Sequence, residues 1–186
     1  MPVRSAKADE ILDAAERLAR TGGYNGFSFR EIAKQVGIKA ASVHYHFPGK
    51  DDLGVALARR YTERFLGGLG DPEDPSIAPN ELLRRYVDAY RRSLVDEGLM
   101  CLCGMFGAEV AYLPPPVAAE AKLFFDRNID WLVRVFARAT SKRSPDESRA
   151  AAIRIIAVLE GAMLMARSLD DTSVFEAAAA GISPSV

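Results

Sequence analysis

The sequence predicts an all-α chain: an N-terminal three-helix helix-turn-helix domain followed by a larger helical domain, about nine helices in all. Three observations predict it. Apolar residues recur at spacings of three and four along most of the 186 residues, and no stretch alternates as a half-buried strand does. The breaks fall on Gly, Pro, Asn and Asp clusters, which are turn formers. Between Ser28 and Leu53 the chain carries start and stop signals for two short helices and a tight turn.

Taken in order, Met1 to Ser5 form an arm, where Arg4 either reaches phosphate or a minor groove or is simply solvated. Lys7 to Thr21 form an amphipathic helix whose stripe is Ile11, Leu12, Ala15, Leu18 and Ala19. Gly22 and Gly23 end it, and Tyr24 and Phe27 are expected to pack beneath the helix-turn-helix. Ser28 caps the next helix, with Glu31 completing a capping box. Gly37 stops that helix. The second short helix spans about Lys39 to Tyr45, with Val43, Phe47 and Ile38 facing inward. Pro48-Gly49 breaks the chain before a helix from Lys50 to about Leu69, along which Leu53, Leu57, Tyr61 and Phe65 recur every four residues.

Gly67 to Pro79 reads as a linker. Asn80 is expected to cap a helix to about Glu97 that carries Leu82, Tyr86, Tyr90 and Leu94. Cys101 to Gly107 holds two glycines and reads as a poor helix that can deform. Pro114 to Pro116 stop the apolar segment, and Val117 to Ala139 form a long helix. A polar loop comes next, then a helix from Asp146 to Leu169 and a short one from Ser173 to Ala180. The domains divide as 1–53 and 54–186, joined by the helix at about 50–69.

Two short helices around a glycine turn either form an ordinary helical hairpin or present the second helix to a DNA major groove. The residues left outside its apolar seam, Lys39, Ala40, Ala41, Ser42, His44 and Tyr45, are small, polar or basic, and none is acidic. Charge distribution agrees. Residues 1–50 carry eight Lys/Arg against five Asp/Glu, and the remainder sixteen against twenty. A basic end on an acidic body fits a protein that touches phosphate with one end.

The run from Gly23 to Leu53, GYNGFSFREIAKQVGIKAASVHYHFPGKDDL, resembles the DNA-binding domain of the TetR family of transcriptional regulators. The matching marks are Ser28-x-Arg30, Ile32-Ala33, Gly37, Tyr45-His46-Phe47, Lys50 and Leu53. The resemblance implies a homodimer on a double-stranded, palindromic DNA operator. It also implies a small-molecule effector bound in the larger domain, whose binding releases the operator. Three positions depart from the pattern. Lys39 stands where Ser or Thr commonly caps, Ala41 replaces a frequent Gly or Pro, and His44 replaces a frequent Tyr. The expected DNA contacts are Arg30, Ala40, Ala41, Ser42 and His44 near base edges, the alanines against thymine methyls. Ser28, Tyr45 and Lys50 are expected on phosphate, with Lys39 beside them.

The expected effector site gathers Tyr86, Tyr90, Cys103, Phe106, Phe124, Asn128, Trp131 and Glu160; plain core packing gives the same aromatic stripe. Asn128 and Glu160 are the polar residues on otherwise apolar faces, where a buried polar group needs a partner. Cys101 and Cys103 are either inert buried thiols or sensors of oxidants or electrophiles. With two histidines, both in the second short helix, no metal site, cofactor or hydrolytic triad is expected, and the protein is read as no enzyme. No signal peptide or membrane span is visible, so a cytoplasmic location is expected. Finally, the helix from Asp146 is apolar on two sides: Ile153, Ile156, Leu159 and Met163 on one, Ile155, Val158, Ala162 and Met165 on the other. One fills the core; the other suits a second copy or deeper burial. On that reading, a charge at Ala162 splits the dimer.

Overall fold

A computed structural model describes residues 5–138 and 143–182. Arg4 and part of the expected polar loop lie outside these residues. The described residues hold nine α-helices: α1 Ala6–Gly22, α2 Phe29–Val36, α3 Ala40–His46, α4 Lys50–Leu69, α5 Pro79–Arg91, α6 Leu102–Ala108, α7 Pro115–Ala137, α8 Pro145–Leu169 and α9 Ser173–Ala180. The chain divides into two compact units. The first comprises Met1–Thr62 and Leu102–Phe124, the second Glu63–Cys101 and Phe125–Val186. Helices α4 and α7 therefore each contribute to both.

In the first unit, α1 turns Ile11, Leu12, Ala15 and Ala19 inward, and Phe27, Ile32, Val43, Leu53 and Leu57 are buried in the same unit. Full burial of one such aliphatic or aromatic side chain contributes about 1.5–3 kcal/mol. Residues Leu102, Cys103 and Phe106 of α6, with Val117 of α7, complete this core. The expectation that Cys101 to Gly107 would be a poor helix is corrected here: most of it lies in α6. Its two glycines each forfeit about 1 kcal/mol of propensity, and burial of the three apolar side chains outweighs that. An ionic cluster, buried at Glu16 and Arg20 and exposed at Asp13, lies in this unit. Arg60 of α4 meets Asp13 at 2.9 Å and Glu16 at 3.0 Å, and Arg20 lies 3.7 Å from Glu16.

In the second unit, α5 turns Leu82, Leu83, Tyr86 and Tyr90 inward against Leu132, Val135 and Phe136 of α7 and Leu159 and Met163 of α8. The cap of α5 is not Asn80. Ala78 takes the cap position without a side-chain bond, and Pro79 starts the helix, because its fixed φ suits a first turn and it has no N–H to orphan. After Arg91 the helix widens into a π-turn over Arg92–Asp96. Residues 70–78 are not a free linker. Trp131 donates to the Gly70 carbonyl at 3.0 Å, and Arg138 donates to those of Pro72 and Ile77, both at 2.7 Å.

Helix α8 starts on a full capping box, Ser144 with Glu147, which sets its first residue at Pro145 rather than Asp146. Its faces also differ from those expected. Ile153 is 46% exposed and Ala162 only 3%. The apolar side chains left in solvent are Ile153, Val158, Leu164, Met165 and Leu169. Ala162 belongs to the unit's own core, so Ala162→Glu is expected to unfold the unit rather than separate two copies. An unpaired buried charge costs several kcal/mol, roughly the whole margin of a domain. Loss of the cooperative urea transition checks this; a folded Ala162→Glu protein with an unchanged midpoint refutes it.

Candidate nucleic-acid interface and effector site

The turn between α2 and α3 is built as its residues dictate. Ser28 Oγ accepts from the Glu31 amide at 3.3 Å, and its hydroxyl donates to the Glu31 carboxylate at 2.7 Å. The side chains thus bond each other, rather than closing the reciprocal box expected from the spacing. Gly37 sits at φ 72°, ψ 33° and ends α2 as expected. Lys39 takes the cap position of α3 with no side-chain bond, as its chemistry requires.

Helix α3 is fixed by Val43, which is fully buried, and by Phe47. That anchoring sends the other face outward. Lys39, Ala40, Ala41, His44 and Tyr45 are exposed, Ser42 is half-buried, and Tyr45 reaches 84% exposure. Arg30 and Ser28 are exposed on α2 and its cap. The His44 ring is held edge-on to Phe29 at 4.6 Å, with Nδ1 3.3 Å from the Pro48 carbonyl. Its orientation is therefore set before any ligand arrives.

Lys50 is placed differently from the rest. Its ammonium lies 4.6 Å from the centre of the Tyr24 ring and 4.7 Å from that of Phe27. Burial lowers its pKa, while the nearby carboxylates of Glu109 and Glu31 act in the opposite direction. Glu109 also accepts from the Tyr24 amide at 2.8 Å. Gly23, at φ 75°, holds a backbone conformation that favours glycine, and a Cβ there would stand 2.1 Å from Glu109 Oε1, so the carboxylate would have to shift. Phe106 packs edge-on to Tyr24 at 5.8 Å. Sequence reasoning missed Glu109. Its signal was its isolation as the single charge in the run GMFGAEVAYL.

The eight expected effector residues fall in two groups. Cys103, Phe106 and Phe124 belong to the first unit, all fully buried, with Phe124 against Tyr61 at 5.7 Å. Tyr86, Tyr90, Asn128, Trp131 and Glu160 belong to the second and are brought together there. Tyr86 stacks on Trp131 at 5.7 Å, tilts against Tyr90 at 5.6 Å and donates to Asn128 Oδ1 at 3.0 Å. Tyr90 donates to Glu160 Oε1 at 3.1 Å. Burial raises the Glu160 pKa, partly offset by hydrogen bonds from Cys101 and Tyr90. Burial also pushes the Tyr86 hydroxyl well up. Both cysteines are buried, Cys101 at 1% exposure and Cys103 at 0%.

Comparison with known proteins decides the family. Residues 11–57 match the profile described as bacterial regulatory proteins, tetR family, and residues 79–181 match that of the LmrA/YxaF-like transcriptional regulator C-terminal domain. The chain belongs to the TetR family. It is similar to the crystal structure of a TetR transcriptional regulator from Legionella pneumophila, with a TM-score of 0.88 and 36% identity over 98% of this chain and 97% of that one. It is 25% identical to the HTH-type transcriptional regulator LmrA of Bacillus subtilis over 162 residues, 84% of each chain. It is 33% identical over 96 residues to an HTH-type transcriptional regulator in the dhlA 5' region of Xanthobacter autotrophicus, 52% of this chain and 46% of that protein. The chain thus spans about half the length of that relative. As a TetR-family protein it is a DNA-binding transcriptional regulator. No helix among the described residues is long and apolar enough to cross a membrane.

The geometry around Tyr24 yields an expected outcome. Glu109→Ala removes a charge-assisted bond and leaves the Tyr24 amide without its acceptor, a loss of about 1.5–3 kcal/mol. Operator affinity should fall with it, and Glu109→Gln, which keeps an acceptor oxygen, should recover most of both. Chemical denaturation and fluorescence anisotropy with labelled operator measure the two. Equal behaviour of the alanine and glutamine variants would remove the bond from the account.

Proposed function

We propose that this chain acts as a homodimeric repressor that holds a palindromic operator through its paired α3 helices. A small organic effector bound in the second unit releases it. The observation that carries the reading is the pairing of two outward faces: the small and basic face of α3, and the apolar face of α8 at Ile153, Val158, Leu164, Met165 and Leu169. A two-fold dimer on a palindromic site needs its two recognition helices about one turn of DNA apart, roughly 34 Å. Such a dimer works in the cytoplasm, where the DNA is.

On DNA, Arg30, Ala40, Ala41, Ser42 and His44 meet base edges, the two alanines against thymine methyl groups. Ser28, Lys39 and Tyr45 meet the backbone. Lys50 does so with the N–H bonds turned away from Tyr24 and Phe27. Burial of Cys101 and Cys103 supports an inert role for both thiols, so a reversible effector is favoured over thiol chemistry.

Footprinting of DNA flanking the gene is the direct test, with a palindromic protected site expected. Val158→Glu, on the outward face of α8, should give folded monomers in sedimentation and lose the footprint. A Val158→Glu dimer with unchanged protection would place the interface elsewhere. Lys50→Ala should lower the melting midpoint through the lost ring contacts. It should also make the salt dependence of DNA binding shallower by about one unit per subunit. A changed base preference with an unchanged salt slope would contradict the phosphate role.

A further inference from the structure

Glu160 is a partly buried carboxyl whose contacts are the Tyr90 hydroxyl at 3.1 Å and the Cys101 thiol. Both can act as donors, and a carboxylate accepts from both, which offsets part of its desolvation. Among the described residues no lysine, arginine or histidine pairs with it. A carboxylate removed from water is ordinarily paired, because its desolvation is otherwise uncompensated. Here the neighbouring groups are aromatic. The Tyr90 ring lies 5.6 Å from Tyr86 and 5.4 Å from Phe65, and Tyr86 lies 5.7 Å from both Phe65 and Trp131.

Ring faces are negative, and rings beside a carboxylate attract a weakly hydrated cation. Glu160 and Phe65 are the members of the group that keep partial contact with solvent, whereas Tyr86 and Tyr90 are buried. The backbone near that group is irregular as well. The π-turn at Arg92–Asp96 comes directly after Tyr90 and Arg91, and residues 97–101 are non-helical up to Cys101. Local π-turns of this kind interrupt regular helix bonding and are frequent at functional sites.

We propose that the second unit binds an organic cation, an amine or quaternary ammonium carrying an apolar body, with Glu160 as its counter-ion and the Phe65, Tyr86 and Tyr90 rings as its walls. The inference rests on the effector reading above and names the chemical class of that effector. The raised pKa of Glu160 supports it independently: the carboxylate is destabilised in the free protein and gains most when a positive charge arrives. A neutral residue of the same shape would be better for stability alone. The folded-state pKa lies above the unfolded one, so the folded form holds its proton more tightly. Stability is then fullest below the unfolded value and is lost as pH rises through the folded one. Glu160→Gln should therefore melt no lower than the wild type at neutral pH.

The test uses the full chain and two probes of one shape, phenyltrimethylammonium and its neutral carbon isostere tert-butylbenzene. The sole tryptophan, Trp131, stacked on Tyr86, reports binding through its fluorescence. The cation should bind about tenfold or more tighter than the isostere, and Glu160→Gln should bring the two within about twofold. Equal affinities in the wild type, or a preference that survives Glu160→Gln, would overturn the cation site. Tight binding of the isostere alone would also overturn it, while leaving an effector site in place. Binding of neither probe overturns the cation site too. The effector reading itself fails on a different result, an operator complex that no compound in a broad small-molecule screen dissociates. If Glu160→Gln does not fold, the comparison of the two probes on the wild type still decides the question.

Discussion

The bond between the Tyr24 amide and the Glu109 carboxylate is the constraint on which the arrangement of the first unit depends. It joins the turn that precedes α2 to the end of α6, 85 residues later. Lys50 closes the group by lying over the Tyr24 and Phe27 rings, with Glu109 near enough to act on its charge. Gly23 suits this turn because its backbone, at φ 75° and ψ −167°, lies in a region that side-chain-bearing residues rarely adopt. Gly54 permits a close approach on α4, where a Cβ would stand 2.9 Å from both Tyr24 and Val117. Three helices and a turn are thus fixed around one aromatic ring. Helix α3, the recognition helix under the proposed function, needs that fixity, because it is short, caps poorly at Lys39 and is anchored mainly through Val43 and Phe47. A helix as short as α3 has too few internal bonds to stand alone.

The second unit makes a different choice. Its centre is polar as well as aromatic, a sequence of groups from Asn128 through Tyr86 and Tyr90 to Glu160 and Cys101. Hydrogen bonds repay much of the desolvation of the hydroxyls and the amide. They repay less for Glu160, whose pKa remains raised despite two donors. Under the proposed cation site, that carboxyl is kept for binding at some expense of stability.

Much of this was legible in the sequence, and the remainder was hidden for physical reasons. The helix-turn-helix read clearly because its signals are local: Ser28 and Gly37 each act within three or four residues of their position. The helical character of 102–108 was misjudged because propensity sees two glycines and cannot see that Leu102, Cys103 and Phe106 are buried. The faces of α8 were misassigned because that helix is apolar almost all round, so periodicity could not say which side meets its own unit. Only packing distinguishes Ala162 from Ile153. The pairing of Asn128 and Glu160 with tyrosines followed from the rule that buried polar groups find partners, but which tyrosines required coordinates. Glu109 and Tyr24 were illegible for another reason: nothing local relates residues so distant in the chain.

The division of the effector candidates bears on how a signal would travel under the proposed function. Cys103, Phe106 and Phe124 serve the core of the first unit, while Tyr86, Tyr90, Asn128, Trp131 and Glu160 form the group in the second. For an effector that touched the second group alone, α4 and α7, which each run through both units, supply a continuous path of chain to the first. Each is an uninterrupted helix across the division, with Thr62 of α4 back-bonded to Ala58 at 2.8 Å where the division falls. Helices of this length carry displacement along their axes because their bonds are satisfied internally. Tyr61 and Phe65, one turn apart on α4, face Phe124 in the first unit and Tyr86 and Tyr90 in the second. Continuity alone is not coupling, however. An effector shifts the DNA equilibrium only by the difference in its affinity for the two states, and DNA must weaken the effector by the same factor. A buried carboxylate suits that requirement, since the free energy of pairing it is available in whichever state admits the cation and absent in the other.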